Sequence, residues 1–158
     1  MKITVVCIGK LSLDFLHAGA AEYSNRIKRY ATLKIIELKE EKGGSKNGSS
    51  AHIRERESER LLERIPPGAY CAVLDEKGKQ LGSVEFATSL ERRMLHGRNE
   101  WCFVIGGAYG VNDTLRRRAD SVLSLSRMTW THQMARMLLL EQLYRAFTIM
   151  RKEPYHNR

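Results

Sequence analysis

Val104-Ile105-Gly106-Gly107-Ala108-Tyr109-Gly110 ends an apolar run that begins near Trp101, and Leu123-Ser124-Leu125-Ser126-Arg127-Met128-Thr129-Trp130 follows it, just ahead of a long apolar segment. A strand pattern that stops at glycines brings bare backbone N–H and C=O groups up to whatever lies beyond, because glycine has no Cβ to hold a ligand off. Such a turn is as often structural as functional. Its weight here comes from standing directly after a fully apolar strand, with a second bend close behind it. Two bends of this kind can grip one small molecule.

Working outward, β-rich apolar runs recur at residues 3–8, 33–38, 70–74, 101–105 and 121–126. Helical patterns separate them, over about 13–30, 51–65 and 84–95, with a short turn near 112–119 and a final helix over about 131–151. Alternation of strand and helix predicts an α/β fold: a parallel sheet with helices on both faces. Residues 40–50, with Gly43, Gly44 and Gly48 among Ser and Lys, carry no apolar period and read as a mobile loop. Ser83 is the expected cap of the third helix, with Phe86 three residues on, where a capping Glu would be usual. At 158 residues the chain suits one domain with a single core.

Composition narrows the partners. Lys and Arg number 27 against 18 Asp and Glu, a formal charge of +9, with basic groups at Arg26, Lys28 and Arg29, at Arg92 and Arg93, and at Arg116, Arg117 and Arg118. Such an excess favours a polyanion, and nucleic acid over a membrane. No run of about 18 apolar residues exists to span a bilayer, and the first residues lack a signal-peptide pattern, so a cytoplasmic protein is expected. Cys7, Cys71 and Cys102 lie inside apolar runs with no CxxC spacing, which predicts buried reduced thiols and no metal site.

The final helix is apolar on more than one stripe: Met134, Met137, Leu138, Leu139, Leu140, Leu143, Tyr144, Phe147, Ile149 and Met150. One face packs on the sheet, and a second copy of the chain is the simplest cover for the rest, so a homodimer is expected. The glycines themselves exclude two ligand folds. Only Gly9 follows the first strand, so no G-x-G-x-x-G dinucleotide fingerprint is present, and no P-loop motif occurs anywhere.

Several blocks in order carry a family resemblance: Met1-Lys2-Ile3 with Gly9-Lys10, Leu74-Asp75 with Gly78-Lys79, Ile105-Gly106-Gly107, Leu123-Ser124-Leu125-Ser126, His132-Gln133-Met134-Ala135-Arg136, Glu141 through Ala146, and Pro154-Tyr155-His156. Over its whole length the sequence resembles the SPOUT-superfamily large-subunit ribosomal RNA methyltransferases that methylate N3 of a pseudouridine. That resemblance implies an α/β knot, with the C-terminal segment threaded as a trefoil. It also implies a homodimer acting on ribosomal RNA in the ribosome, and S-adenosylmethionine bound by Leu74, Gly106 and the segment Leu125, Ser126, Arg127, Met128, Thr129 and Trp130.

Methyl transfer to N3 of a uracil-like ring requires loss of the N3 proton, since the protonated nitrogen is a poor nucleophile. The resemblance implies a functional tail that reaches the partner subunit's donor site; there Tyr155 and His156 are expected to position the base and accept or relay its proton, with Arg158 holding phosphate or the developing charge. His132 and Arg136, a turn apart at the start of the last helix, are candidates for a phosphate or the donor's carboxylate, although His132 also suits a purely structural place. Thr131 stands where the family often has proline, and a threonine can cap the helix itself. Two further readings stay open: a SPOUT enzyme for another RNA nucleotide, and a non-catalytic ribosome-binding factor.

Overall fold

The computed structural model describes residues 1–43 and 48–157. Five strands and five helices alternate along the chain: β1 Lys2–Ile8, α1 Asp14–Ile27, β2 Thr32–Leu38, α2 Ser50–Leu62, β3 Tyr70–Gln80, α3 Ser83–Leu95, β4 Glu100–Ile105, α4 Asp113–Arg118, β5 Ser121–Ser124 and α5 His132–Met150. The strands form one sheet in the order β2-β1-β4-β3-β5, and every neighbouring pair is parallel. Because successive strand residues point to opposite faces, the apolar runs divide into two cores. Ile3, Val5, Cys7, Ala72 and Phe103 face α1, α3 and α5, while Val6, Ile8, Val73, Cys102 and Val104 face α2 and α4. Both faces are covered, as the expected α/β class requires.

Burial explains why β3 and β4 read so clearly. Residues 71–73 and 101–104 are almost wholly buried and carry side chains suited to a two-sided interior. All three cysteines lie within this sheet, buried and free. Burial pushes the thiols of Cys7 and Cys71 up to about 11 and that of Cys102 up to about 12.

Two element ends depart from the sequence reading. β3 runs on past residue 74 through the polar stretch to Gln80, and Leu123 is the register partner of both Leu74 and Lys79. A Cβ on Gly78 would stand 2.5 Å from the Leu123 carbonyl carbon, so this close passage of two backbones admits glycine alone. β5 is shorter than expected, because residues 125 and 126 leave the sheet to form a turn.

The capping of α3 also differs. Gly82 is its N-cap and Ser83 its first residue, and the Glu85 carboxylate accepts the Gly82 N–H at 2.7 Å. The capping glutamate is therefore present, one position earlier than counting from Ser83 would place it. Thr131 does cap α5, its hydroxyl accepting the Met134 N–H at 3.2 Å.

The described part of the expected mobile loop is held at both ends. Glu41 N–H donates to the buried Glu57 carboxylate at 2.9 Å, Glu40 lies against His132, and Ser49 caps α2 through the His52 N–H. Gly44, Ser45, Lys46 and Asn47, which belong to the same expectation, lie outside the described residues.

α5 sits between α1 and α3 on the sheet, and none of its residues is exposed. Much of the apolar surface that the sequence assigns to a second copy is thus covered within the chain, leaving Met134, Met137 and Leu138 half-buried. Arg136 is fully interior: its guanidinium donates to Glu37 at 2.5 Å and to the Cys7 sulfur at 3.2 Å. It ties α5 to β1 and β2 and is no phosphate contact, contrary to the sequence expectation.

Two measurements test this account. The folded thiols ionise above their unfolded value of 9.0, so the protein binds more protons folded than unfolded once pH passes 9. Unfolding free energy from urea titrations should therefore hold steady to about pH 8 and fall between pH 9 and 11, by up to about 1.4 kcal/mol per pH unit for each thiol. Cys7→Ala, Cys71→Ala and Cys102→Ala combined should flatten that fall. Gly78→Ala should lower stability by about 3 kcal/mol, since backbone faces backbone there. Gly68→Ala, whose added carbon meets nothing within 4 Å, should cost about 1 kcal/mol from its positive φ alone.

Candidate active site

A cavity of about 360 Å3 opens beyond the carboxyl ends of β3, β4 and β5. This is the edge at which parallel α/β sheets hold their ligands, because the strand-end loops there are free to vary. Leu74 from β3, Ile105 and Gly106 from β4, and Leu123 and Ser124 from β5 supply one side. The turn after β5 supplies Leu125, Ser126, Met128, Thr129 and Trp130, and Arg54 and His132 reach in from α2 and α5.

Each bend is built by its own sequence. After β4, Gly110 N–H donates to Gly107 C=O at 3.1 Å, and Gly110 takes a φ of 74° that glycine adopts without strain. A Cβ on Gly106 would stand 2.8 Å from the Gly110 oxygen, so the glycine is demanded by the turn folding back on itself more than by a ligand's approach. After β5, Ser124 Oγ donates to the Ser126 carbonyl at 2.8 Å, and Ser126 Oγ accepts the Met128 N–H at 2.9 Å. Two serines therefore brace residues 124–128 without help from the rest of the fold.

Charge is distributed unevenly around the opening. Arg116 spans two carboxylates, donating to Asp75 at 2.8 and 3.0 Å and to Asp113 at 2.7 Å. Asp75 is nearly buried, so this pair fixes the point where β3 leaves the cavity wall. Opposite, His132 Nε2 lies 3.2 Å from Glu40 Oε1, an ion-pair distance without hydrogen-bond alignment. Arg54 Nε is likewise buried and unpartnered, which leaves two nitrogen groups at the cavity wall available to an anionic ligand group. Behind them, burial raises the Glu57 carboxyl above its ordinary range.

The structure brings together Leu74, Gly106, Leu125, Ser126, Met128, Thr129 and Trp130, drawn from three strand ends. Arg127, from the same predicted set, is exposed and does not line the cavity. Met128 and Trp130 remain 72% and 41% exposed, an apolar rim at the cavity mouth. Arg54, Asp75 and Arg116 were missed by sequence reasoning. Asp75 stands in a block that carries the family resemblance, but for Arg54 and Arg116 the only sequence signal is charge within helical stretches, which ordinary solvated surfaces share.

Tyr155 and His156 lie apart from this cavity within the chain. Tyr155 OH donates to Glu141 at 3.0 Å and lies 3.3 Å from Tyr23 OH, so Tyr23 is the donor in that second contact. Arg145 binds Glu141 at 2.5 Å and lies 3.3 Å from His156 Nδ1. Burial first, then the bonds to Tyr23 and Glu141, hold the Tyr155 phenol well above its usual range. Arg158, the third predicted tail residue, lies outside the described residues.

A cavity framed by three strand ends, with a serine-braced turn as its outer wall, is the arrangement against which comparison with known proteins becomes informative. Residues 1–156 match a family model described as "Predicted SPOUT methyltransferase". The chain belongs to the SPOUT methyltransferase family. The ribosomal RNA large subunit methyltransferase H of Syntrophotalea carbinolica is 51% identical over 158 residues, covering 100% of both chains. The protein of the same name from Geobacter sulfurreducens is 48% identical over 157 residues, covering 99% of this chain and 100% of its own. Among solved structures, a probable methylase family protein from Haemophilus influenzae aligns with a TM-score of 0.52 at 12% identity, over 99% of this chain and 70% of that one. That likeness speaks for the SPOUT methyltransferase fold. Among the described residues no helix is long and apolar enough to cross a membrane, and no group of His, Cys, Asp or Glu is arranged to hold a metal ion.

The ion pair at the cavity wall gives a further test. Arg116→Met leaves the buried Asp75 carboxylate without its cation and should destabilise the protein by about 3 kcal/mol in urea titrations. Asp75→Asn with Arg116→Met should recover more than half of that loss, because no buried charge is then left alone.

Proposed function

We propose that this SPOUT methyltransferase acts as a one-domain homodimer in the cytoplasm, transferring a methyl group from S-adenosylmethionine to N3 of a pseudouridine in large-subunit ribosomal RNA on the ribosome. One observation carries the reading: Leu74, Gly106 and the turn after β5, far apart in sequence, line a single cavity in a chain of this family. Full-length identity to proteins named ribosomal RNA large subunit methyltransferase H supports ribosomal RNA as the substrate. The formal charge of +9 suits that partner.

The cavity fits the donor in size and in chemistry. Leu74, Ile105 and Leu125 offer an apolar slot for the adenine, the backbone around Gly106 and Ser126 offers polar atoms to its edge, and the unpartnered nitrogens of Arg54 and His132 suit a carboxylate. Bound S-adenosylmethionine supplies an electrophilic methyl group. The chain's own work is to hold the acceptor in line and remove its proton.

The tail residues are the groups we assign to that work, delivered from the partner subunit. Tyr155, held as a neutral phenol whose proton goes to Glu141, can orient the ring through its aromatic face. His156 accepts or relays the N3 proton, taking it at its unpartnered Nε2 once the ring proton sits on Nδ1 and Arg145 keeps Glu141 alone, and Arg158 meets the phosphate. Their distance from the cavity in a single chain supports a site completed by a second copy, as do the apolar rim at Met128 and Trp130 and the half-buried Met134, Met137 and Leu138. The double pairing of Leu123, with Gly78 crossing its backbone, supports the trefoil threading that the family resemblance implies.

Mass spectrometry of ribosomal RNA from cells with and without the protein tests the reaction: one pseudouridine in the large subunit should lose its methyl group when the protein is missing. Purified protein lacking residues 155–158 should bind S-adenosylmethionine in calorimetry with an affinity within about threefold of the parent and methylate ribosomes at less than about 1% of its rate. Mixing it with a Gly106→Val variant should restore part of the activity, since one mixed pair then holds one whole site. Full activity of the truncated protein alone excludes the role given to the tail.

A further inference from the structure

A second depression of about 740 Å3 runs along the open edge of the sheet, between α3 and β5. It starts at the strand beginnings, by Tyr70, Trp101 and Arg98, and climbs to Lys79 and Leu81 at the strand ends. Leu123 lines both this groove and the donor cavity, so the two share a wall. The groove runs beside that cavity and is not part of it.

Its chemistry is cationic. Lys79, Arg92, Arg93 and Arg98 line it, and among the described residues none of the four has a carboxylate within ion-pair distance. The two acids in the groove are engaged inward: Glu85 accepts the Gly82 N–H and Asp120 accepts the Cys71 N–H at 2.8 Å. Arg93 is also pre-set. Its guanidinium carbon stands 3.7 Å from the Tyr70 ring centroid and 5.9 Å from that of Trp101, which fixes the plane of the fork and leaves its edge for an anion. Tyr70 and Trp101 are themselves buried, so they support the arginine and do not stack on bases.

We propose, resting on the ribosomal RNA reading above, that this groove binds the sugar-phosphate backbone of a single-stranded RNA segment flanking the methylated nucleotide. Four cations without carboxylate partners, spread along a channel that shares a wall with the donor cavity, match a chain of phosphates and would hold a peptide strand poorly. A small SPOUT enzyme thereby gains a substrate-holding surface within the catalytic fold. The contacts position the strand and read no bases.

The test compares the parent with Lys79→Gln/Arg92→Gln/Arg98→Gln, three exposed positions outside the donor cavity. Both proteins are assayed on ribosomes lacking the methyl group, across a range of salt concentrations. The triple variant should show a KM for ribosomes raised about tenfold, a kcat within about twofold, and an unchanged calorimetric affinity for S-adenosylmethionine. Its log(kcat/KM) should fall less steeply with log salt, by about 0.7 per lost phosphate contact. Arg92→Lys/Arg98→Lys should keep the parent slope, because phosphate contact needs charge more than shape. Unchanged KM and slope overturn the inference, as does a loss confined to kcat or to donor binding. Retained ribosome kinetics with lost binding of a ribosomal protein in a pull-down also overturn it, in favour of peptide addition at the β5 edge. A parent protein that fails to methylate ribosomal RNA refutes the proposed reaction and not the groove, whose RNA binding the same variants would still report by filter binding and its salt slope.

Discussion

Two backbones pass within contact of each other at Gly78 and Leu123, and the arrangement of the carboxyl-end loops depends on that passage. β3 continues past Leu74, with a shift of register, only because glycine lets its backbone pass against β5, and Leu123 of β5 pairs with both Leu74 and Lys79. Held in this way, a strand of four residues, too short to be secure alone, becomes a fixed platform. The serine-braced turn that follows then has a definite place from which to wall the cavity. A rotation of β5 by one residue would turn Leu123 and Ser124 to the wrong faces and open the wall.

Electrostatics complete what the crossing begins. Asp75, one residue past Leu74, is locked by Arg116, and Arg116 is locked in turn by Asp113 at the start of α4. On the other side Arg136, Glu37 and Cys7 fasten the last helix to the first two strands. The tail is anchored by a third set: Tyr30 OH donates to Glu153, and Glu141 gathers both Arg145 and Tyr155. In each case an arginine or a phenol joins parts of the chain that the apolar core alone would leave free to slide. The apolar contacts set how stable the fold is, and these polar contacts set its register.

Much of this was legible in the sequence, for reasons that differ by element. β3 and β4 announce themselves because two-sided burial selects an unbroken apolar run such as Cys71-Ala72-Val73-Leu74. The extension of β3 through Glu76, Lys77 and Lys79 was hidden, since a strand outside the core has no need of apolar residues. Ser83 misled because its own residue type suits a cap, whereas the cap is a glycine served by Glu85. The cavity wall was readable from its bends, helped by the family resemblance, but Arg54 and Arg116 were not, because a cation facing a pocket and one facing water are written alike. Arg136 shows the converse: a position that suggests a ligand contact is spent on an internal tie.

The order of elements along the chain has a consequence in time. The cavity takes wall residues from β3 and β4 but is closed by β5, the turn after it and α5, which are synthesised after them. A nascent chain that has emerged through β4 already owns most of the sheet and none of the outer wall. No closed cavity exists at that stage to hold a ligand as a folding aid, so the close passage at Gly78 has to form from the polypeptide's own contacts, and mostly non-local ones. Formation of the sheet and formation of a closed cavity are thereby separated, with the second waiting on the elements that follow β4.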